Sequence, residues 1–320
     1  MPTLTEAQQQ DIQEARAGLS TTRRATSPGL EEIMFEPVPV LDRGFVRVVD
    51  YMGDDAAVVQ GARVSYGRGT KRVSDDRGLI RYLMRHRHTT PFELADLKLH
   101  VKAPIFVTRQ WFRHRTASIN EYSARYSVLD REFYVPEPEA VAAQSDANRQ
   151  GRGGAVDADT ARRVIEVLRE DASRCHDSYL WMLNETEGGE VADPARTGVA
   201  RELARINLPV GIYTQFYWKV DLWNLLRFLG LRADAHAQHE IRAYADAILG
   251  IVRRWVPFVH EAFQDHVLDA ASFSGQAVAL LRAALASDAK LDPQDFGLSG
   301  RELRELVDAL PELAGRLARP

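Results

Sequence analysis

Arg109 to Arg125 reads RQWFRHRTASINEYSAR, and the interpretation of the whole chain turns on this segment. Pro104 stands ahead of it and opens a helix predicted from Ile105 to about Phe112. On that helix Arg109 and Arg113 lie four apart and Gln110 and Arg113 three apart, so Gln110 and both arginines can share one side. Arg115 follows directly, and Arg125 comes after a non-helical turn that holds Ser118, Asn120, Glu121 and Ser123. Guanidiniums beside short hydroxyl and amide donors at a helix end suit a phosphorylated ligand, because the planar fork of arginine matches phosphate oxygens. The competing interpretation is a solvated basic helix end with Glu121 as ion-pair partner, and such exposed pairs are worth little. Trp111 and Phe112 sit among the charges, so part of the segment must be buried. Buried arginines need anionic partners, and Glu121 alone is at hand. A phosphate or nucleotide site is the stronger reading.

Working outward, Phe45, Val46, Val48 and Val49 read as a strand, and Ala56, Val58, Val59 and Ala62 as a helix. Leu79, Ile80, Leu83 and Met84 recur at helical spacing, and that helix ends in the basic run Arg85 to His88. Thr90-Pro91-Phe92-Glu93 is spelled as a helix start, with Thr90 as cap, Pro91 in the first turn and Glu93 as the capping-box carboxylate. Leu97, Leu99 and Val101 alternate with polar residues, as in a half-buried strand. Residues 137 to about 158 carry Gly151-Arg152-Gly153-Gly154 and read as a surface insertion. Helices follow at Asp159 to Leu183, Val199 to Ile206, Trp223 to Leu231 and Asp234 to Phe263, with the aromatic segment Tyr213 to Val220 among them. The whole reads as α+β with helices outnumbering strands. The domain layout is an N-terminal extension over residues 1–40, a catalytic domain over 41–270 and a helical C-terminal extension over 271–320, with Ser299 to Glu302 as a capping box.

The 320 residues are 45% hydrophobic and 27% charged, enough to bury a full core. A net charge of −4 gives no reason to expect nonspecific nucleic-acid or membrane binding. Cys175 is the lone cysteine, which excludes an intramolecular disulfide and suits a reducing compartment. Met1 to Arg24 has no apolar signal core, and the best candidate for a membrane span, Ala247 to Val259, is interrupted by Arg253 and Arg254. A cytoplasmic location is expected. His236 and His239 are three apart but have no third ligand nearby, so no metal is expected. Ser123 has no Asp or His spaced to activate it and is a hydrogen-bonding rather than a nucleophilic serine.

Arg113-His114-Arg115-Thr116-Ala117-Ser118-Ile119-Asn120-Glu121-Tyr122-Ser123-Ala124-Arg125 matches RHRxxSxNExSxR at all eight fixed positions. That pattern is the signature of flavin-dependent thymidylate synthases, and this chain resembles the family over roughly residues 41–265. Leu41 to Gly53, His88 to Glu93, His100 to Val107 and Leu231 to Gln238 add to the resemblance. It implies a helix-rich single domain with a small antiparallel sheet, assembled as a homotetramer whose active sites are shared between subunits. It further implies conversion of dUMP to dTMP, with FAD as cofactor and NADPH and 5,10-methylenetetrahydrofolate as co-substrates.

By the same resemblance, Gln110 and Arg113 hold dUMP, while Glu121, Ser123 and Arg125 reach it from a neighbouring subunit. Arg205 is a further nucleotide-binding arginine. His88, Thr90, Arg113, His114, Arg115 and Glu121 are implied flavin neighbours. So are Asp221, Trp223 and Arg227, which stand where family members carry Asn, Arg and Asn. Arg232 is the implied catalytic residue, assisting ionisation of uracil N3, because a fixed guanidinium stabilises charge that develops on the ring. No GxGxxG loop is present to hold the flavin, since Gly67-Arg68-Gly69 lacks the third glycine. Two rivals remain at this point: a flavoprotein acting on another nucleotide, such as a uracil methylase, and a nonenzymatic single-strand binder.

Overall fold

The computed structural model describes residues 5–64, 73–145 and 151–318, so Gly67-Arg68-Gly69 lies outside the described residues. Chain contacts divide it into two compact units, Met1–Phe263 and Gln264–Pro320. The strands are β1 (Val38–Val40), β2 (Gly44–Met52), β3 (Asp96–Pro104), β4 (Ser118–Glu121), β5 (Ala142–Gln144), β6 (Arg152–Ala155) and β7 (Tyr213–Asp221). The helices of the first unit are α1 (Glu6–Ala17), α2 (Pro28–Glu31), α3 (Asp55–Val64), α4 (Val73–Arg85), α5 (Ile105–Trp111), α6 (Ala158–Leu183), α7 (Arg201–Ala204), α8 (Leu222–Arg232), α9 (His239–Trp255) and α10 (Pro257–Phe263). Those of the second are α11 (Gly275–Ala286) and α12 (Gly300–Ala309). The expected α+β class is the class observed.

Five strands form an antiparallel sheet in the order β1-β2-β3-β7-β4. Its centre is the β3–β7 pair, where Leu97, Leu99 and Val101 face Val220, Trp218 and Phe216 in register. These six side chains are all buried. The intervening Tyr217 and Lys219 are exposed, as the period of two in a strand requires. Helices α5, α8 and α9 cover the buried face. Trp111 of α5 is fully buried there, with ring centroids 4.8–5.8 Å from Phe216, Trp218, Phe228 and Tyr244. Aromatic burial on that scale anchors α5, and with it the arginine-rich segment, to the sheet.

Three local expectations need correction. Thr90–Leu94 is a 3-10 helix rather than the start of an α-helix, and Thr89 rather than Thr90 precedes it, with no side-chain cap. The chain must enter β3 at Asp96, which leaves room for one tight turn only. Ser118–Glu121, expected in a turn, is the edge strand β4, paired along β7. The helix expected over Val199 to Ile206 is α7 followed by a 3-10 turn, Arg205–Asn207. The insertion forms a hairpin in which Ala142 pairs with Ala155 and Gln144 with Arg152.

The N-terminal segment carries α1, opened by a capping box between Thr5 and Gln8. Arg16, near its end, donates to the carbonyl oxygens of Met34 and Glu32 at 2.8 and 3.2 Å. Within the second unit, Ala277, Leu280, Ala284, Leu306 and Leu313 form a small core. Ser299 and Glu302 make the capping box that their spacing spells.

Candidate functional site

Once Trp111 is locked into the core, the residues around it have restricted directions. Gln110 is half-buried, and its side-chain amide donates to the Gln238 carbonyl oxygen. Past α5 the chain turns at Arg113 and His114, and His114 folds back edge-on against Phe228 of α8 at 4.9 Å. The last residue of α8 is Arg232. Its Nε donates to His114 Nε2 at 3.3 Å, and its Nη2 to the Gln110 carbonyl oxygen at 3.4 Å. Burial and then the Arg113 charge push the Arg232 guanidinium below its ordinary value. His114 is lowered to about 4 by burial, followed by the charges of Arg232 and Arg227, and is therefore neutral at neutral pH.

Arg113, His114, Arg115, Thr116, Trp218, Val220, Asn224 and Arg227 line a cleft of about 200 Å³. Three guanidiniums meet there, and no carboxylate is among the lining residues. Among the described residues Arg113, Arg115, Arg125, Arg205, Arg227 and Arg232 make no ion pair. The Glu121 carboxylate, the one acidic group in the signature, instead accepts from Thr214 Oγ1 at 3.0 Å. Like charges gathered on one cleft repel one another, and an anion there would relieve that repulsion. The indole N–H of Trp218, in the wall of the same cleft, is buried without an acceptor. These groups fit the anionic part of a flavin nucleotide or of dUMP. At about 200 Å³ the cleft admits only part of such a molecule, since complete ligand pockets run to about 300–1,000 Å³.

The remaining expected residues fall into separate groups. His88 and Thr90 are exposed where α4 gives way to the 3-10 helix, with the His88 ring 5.8 Å from that of Tyr82. Trp223 joins this region to α8 through Phe92, at 6.1 Å between ring centroids. Asp221 is engaged by Asn224, whose backbone N–H and side-chain amide donate to its two oxygens at 2.9 and 2.8 Å. Asn224, rather than Asp221, reaches the cleft wall. Ser123 and Arg125 follow the exposed edge strand β4, where Ser123 Oγ accepts from the Arg125 N–H at 3.3 Å and the Arg125 guanidinium lies over Tyr126. Arg205 is exposed in the turn after α7. The structure thus brings Gln110, Arg113, His114, Arg115, Arg227 and Arg232 together. It leaves His88, Thr90 and Trp223 in a second group, and Glu121, Ser123, Arg125 and Arg205 on surfaces that one chain does not converge.

Sequence reasoning missed Gln238, Glu240, Asn224 and Thr116. Glu240 is 1% exposed and is held by Arg152, by Tyr134 and by Gln238. A glutamate at the second position of an otherwise amphipathic helix was the available signal, since a carboxylate there favours the helix N-terminus. Among the described residues no group of three or more His, Cys, Asp or Glu side chains is placed to hold a metal, and no helix is long and apolar enough to cross a membrane.

Comparison with known proteins agrees with this architecture. The family described as "Thymidylate synthase complementing protein" matches residues 47–258. A Ruegeria pomeroyi protein named flavin-dependent thymidylate synthase is 57% identical over 307 residues, covering 96% of this chain and 99% of its own. Its namesake from Gluconobacter oxydans is 55% identical over 307 residues, covering 96% and 98%. These matches run beyond the residues of the family match. Among solved structures, the UMP/dUMP methylase PolB from Streptomyces cacaoi bound with 5-Br UMP superposes with a TM-score of 0.61 at 33% identity, over 71% of this chain and 97% of that one. By its signature, its fold and this identity across nearly its whole length, the chain belongs to the flavin-dependent thymidylate synthase family.

Proposed function

We propose that this chain methylates dUMP to dTMP, with FAD as cofactor and with NADPH and 5,10-methylenetetrahydrofolate as co-substrates. One observation carries the reading: the cleft lined by Arg113, Arg115 and Arg227 without a carboxylate, backed by Arg232 on a neutral imidazole. Gln110 and Arg113 hold the nucleotide, and Arg205 adds a further phosphate-directed charge. Glu121, Ser123 and Arg125, on β4 and its following turn, serve the site of an adjoining copy in a homotetramer, a reading that the exposure of Glu121 and Arg125 away from the cleft supports. His88, Thr90, His114, Arg115, Asp221, Trp223 and Arg227 form the flavin surround, with Arg113 and Glu121 between the two ligands. When bound there, the flavin supplies the reducing equivalents that complete the methyl group.

The protein's own contribution is orientation and electrostatics. Arg232 is fixed by His114 and by the Gln110 carbonyl, so its guanidinium needs no reorganisation to stabilise negative charge at uracil N3 and O4. A neutral His114 accepts that hydrogen bond without adding a competing charge. The lone Cys175 has no part in this scheme, and the chain is expected to work in the reducing cytoplasm.

The bound 5-Br UMP of the Streptomyces structure favours examining a second substrate, UMP. The test is mass analysis of product from purified protein supplied with FAD, NADPH, methylenetetrahydrofolate and either dUMP or UMP. Formation of dTMP that depends on both FAD and NADPH is expected. Methylated UMP alone would replace dUMP as substrate, and no product from folded, flavin-loaded protein would overturn both readings.

A further inference from the structure

Gln110 has a second connection that the nucleotide site does not explain. Glu240 is almost fully buried and sits at the start of α9, where three side chains reach it. Arg152, from the insertion hairpin, pairs with Oε1 through Nη2 and also donates from Nη1 to the Ala140 carbonyl at 3.1 Å. The Tyr134 hydroxyl donates to Oε1 at 3.0 Å, and the Tyr134 ring packs on Phe106 of α5 at 5.7 Å. Gln238 Nε2 donates to Oε2 at 2.8 Å. Burial, the largest single influence, acts to raise the Glu240 carboxyl, yet it lies below its ordinary value, because the hydrogen bonds from Arg152 and Gln238, a backbone hydrogen bond and the Arg152 charge together outweigh burial.

An ionised carboxylate only accepts hydrogen bonds. Glu240 therefore forces Gln238 to turn its NH₂ toward α9, which leaves the Gln238 carbonyl oxygen facing Gln110. That oxygen in turn takes an N–H from Gln110. The orientation of the Gln110 amide is thus set two side chains away, by a charge that Arg152 balances. An amide free to rotate by 180° would present either end to a ligand.

Accepting Gln110 as a dUMP contact, as proposed above, we propose that Glu240 is a positioning residue that fixes which end of the Gln110 amide is left for the nucleotide, and that the insertion hairpin serves the site by keeping Glu240 charged through Arg152. Residues 137–158 then have a role in substrate binding without touching substrate.

The experiment uses full-length, FAD-loaded protein, with the dUMP dissociation constant from calorimetry and KM and kcat measured separately. Glu240→Gln keeps the shape of the side chain but removes the acceptor-only constraint. It should weaken dUMP about tenfold, the scale of one misdirected hydrogen bond, with kcat at saturation within about twofold. Arg152→Gln should do the same, and Arg152→Lys should restore most of the affinity. Should Arg152→Gln fail to fold, Gln238→Ala interrupts the same chain of contacts and leaves the ion pair intact. In a Gln110→Ala background none of these changes should weaken dUMP further. If Gln110→Ala weakens dUMP while Glu240→Gln and Gln238→Ala do not, or if their effects multiply, the positioning role is wrong. If Gln110→Ala itself leaves dUMP affinity unchanged, the assignment of Gln110 to the nucleotide fails instead.

Discussion

Arg232 Nε donates to His114 Nε2 across 3.3 Å, which places the imidazole proton on Nδ1 and makes His114 an acceptor toward the guanidinium. Burial and two neighbouring arginines enforce that neutral state, with the imidazole lowered to about 4. Its affinity for protons in the folded chain is below that of the unfolded chain, near 6.5. The stability that it contributes is accordingly full above pH 6.5 and is lost as the pH falls toward 4. Ring-proton NMR should show no His114 titration between pH 6 and 8, and His114→Gln should flatten the acid limb of the stability profile. A His114 midpoint near 6.5 would contradict the neutral contact.

Removing the guanidinium should separate binding from chemistry. Arg232→Ala should keep its flavin absorbance yet lose about 10²–10³ in kcat, the loss usual for one preorganised charge-stabilising donor. Arg232→Lys should recover little, because a lysine offers neither the Nε–H that meets His114 nor a planar fork. Steady-state turnover beside a flavin spectrum is the measurement. Near-normal turnover in Arg232→Ala would remove this residue from the mechanism.

Asp221 caps α8, accepting the Asn224 N–H at 2.9 Å. Asp221→Ala should cost about 1 kcal/mol of stability, whereas Asp221→Asn retains an acceptor and should cost a few tenths. Denaturant midpoints for the pair of variants check this. Equal losses in both would mean that the carboxylate acts through its charge and not as a cap.

Asp55 provides the clearest pH signature outside the site. Burial raises its carboxyl to about 6, against the opposing pull of the Phe258 and Val259 N–H groups, each 3.0 Å away. The folded chain binds this proton more tightly than the unfolded one, whose carboxyl titrates near 3.8. The stabilisation is complete below about pH 4, falls as the pH rises toward 6, and is absent above that. Asp55→Asn keeps an acceptor without the charge, so it should gain about 1–3 kcal/mol on wild type at pH 8 and little at pH 4. Thermal melts across that range test it; a gain independent of pH would assign Asp55 another role.

The sequence disclosed those features that a local pattern encodes. Pro104 and the aromatic pair Trp111-Phe112 announced α5 and its buried end, and Leu97, Leu99 and Val101 announced the central strand. Thr90-Pro91-Phe92-Glu93 spelled a helix start, but the nearness of β3 allowed only a 3-10 turn. β4 was hidden because Ser118-Ile119-Asn120-Glu121 carries no buried face; pairing with β7, nearly a hundred residues away, makes it a strand. The arginine set was legible as a cluster, whereas its split into a cleft and outlying groups depends on how α5, α8 and β4 meet. The Arg152–Glu240 pair joins residues 88 apart and leaves no periodic trace.

The alternation along β7 has one more consequence, for which kinds of genetic change this protein survives. Phe216, Trp218 and Val220 point into the core while Tyr217 and Lys219 point out. Single replacements at the outward positions touch nothing that holds α5. Deleting or inserting one codon within β7 would instead exchange the two faces, setting a lysine where Trp218 meets Trp111 and turning the indole to solvent. The strand behaves as text with a two-letter frame: forgiving of misspelling on alternate letters, and unreadable after a shift of one.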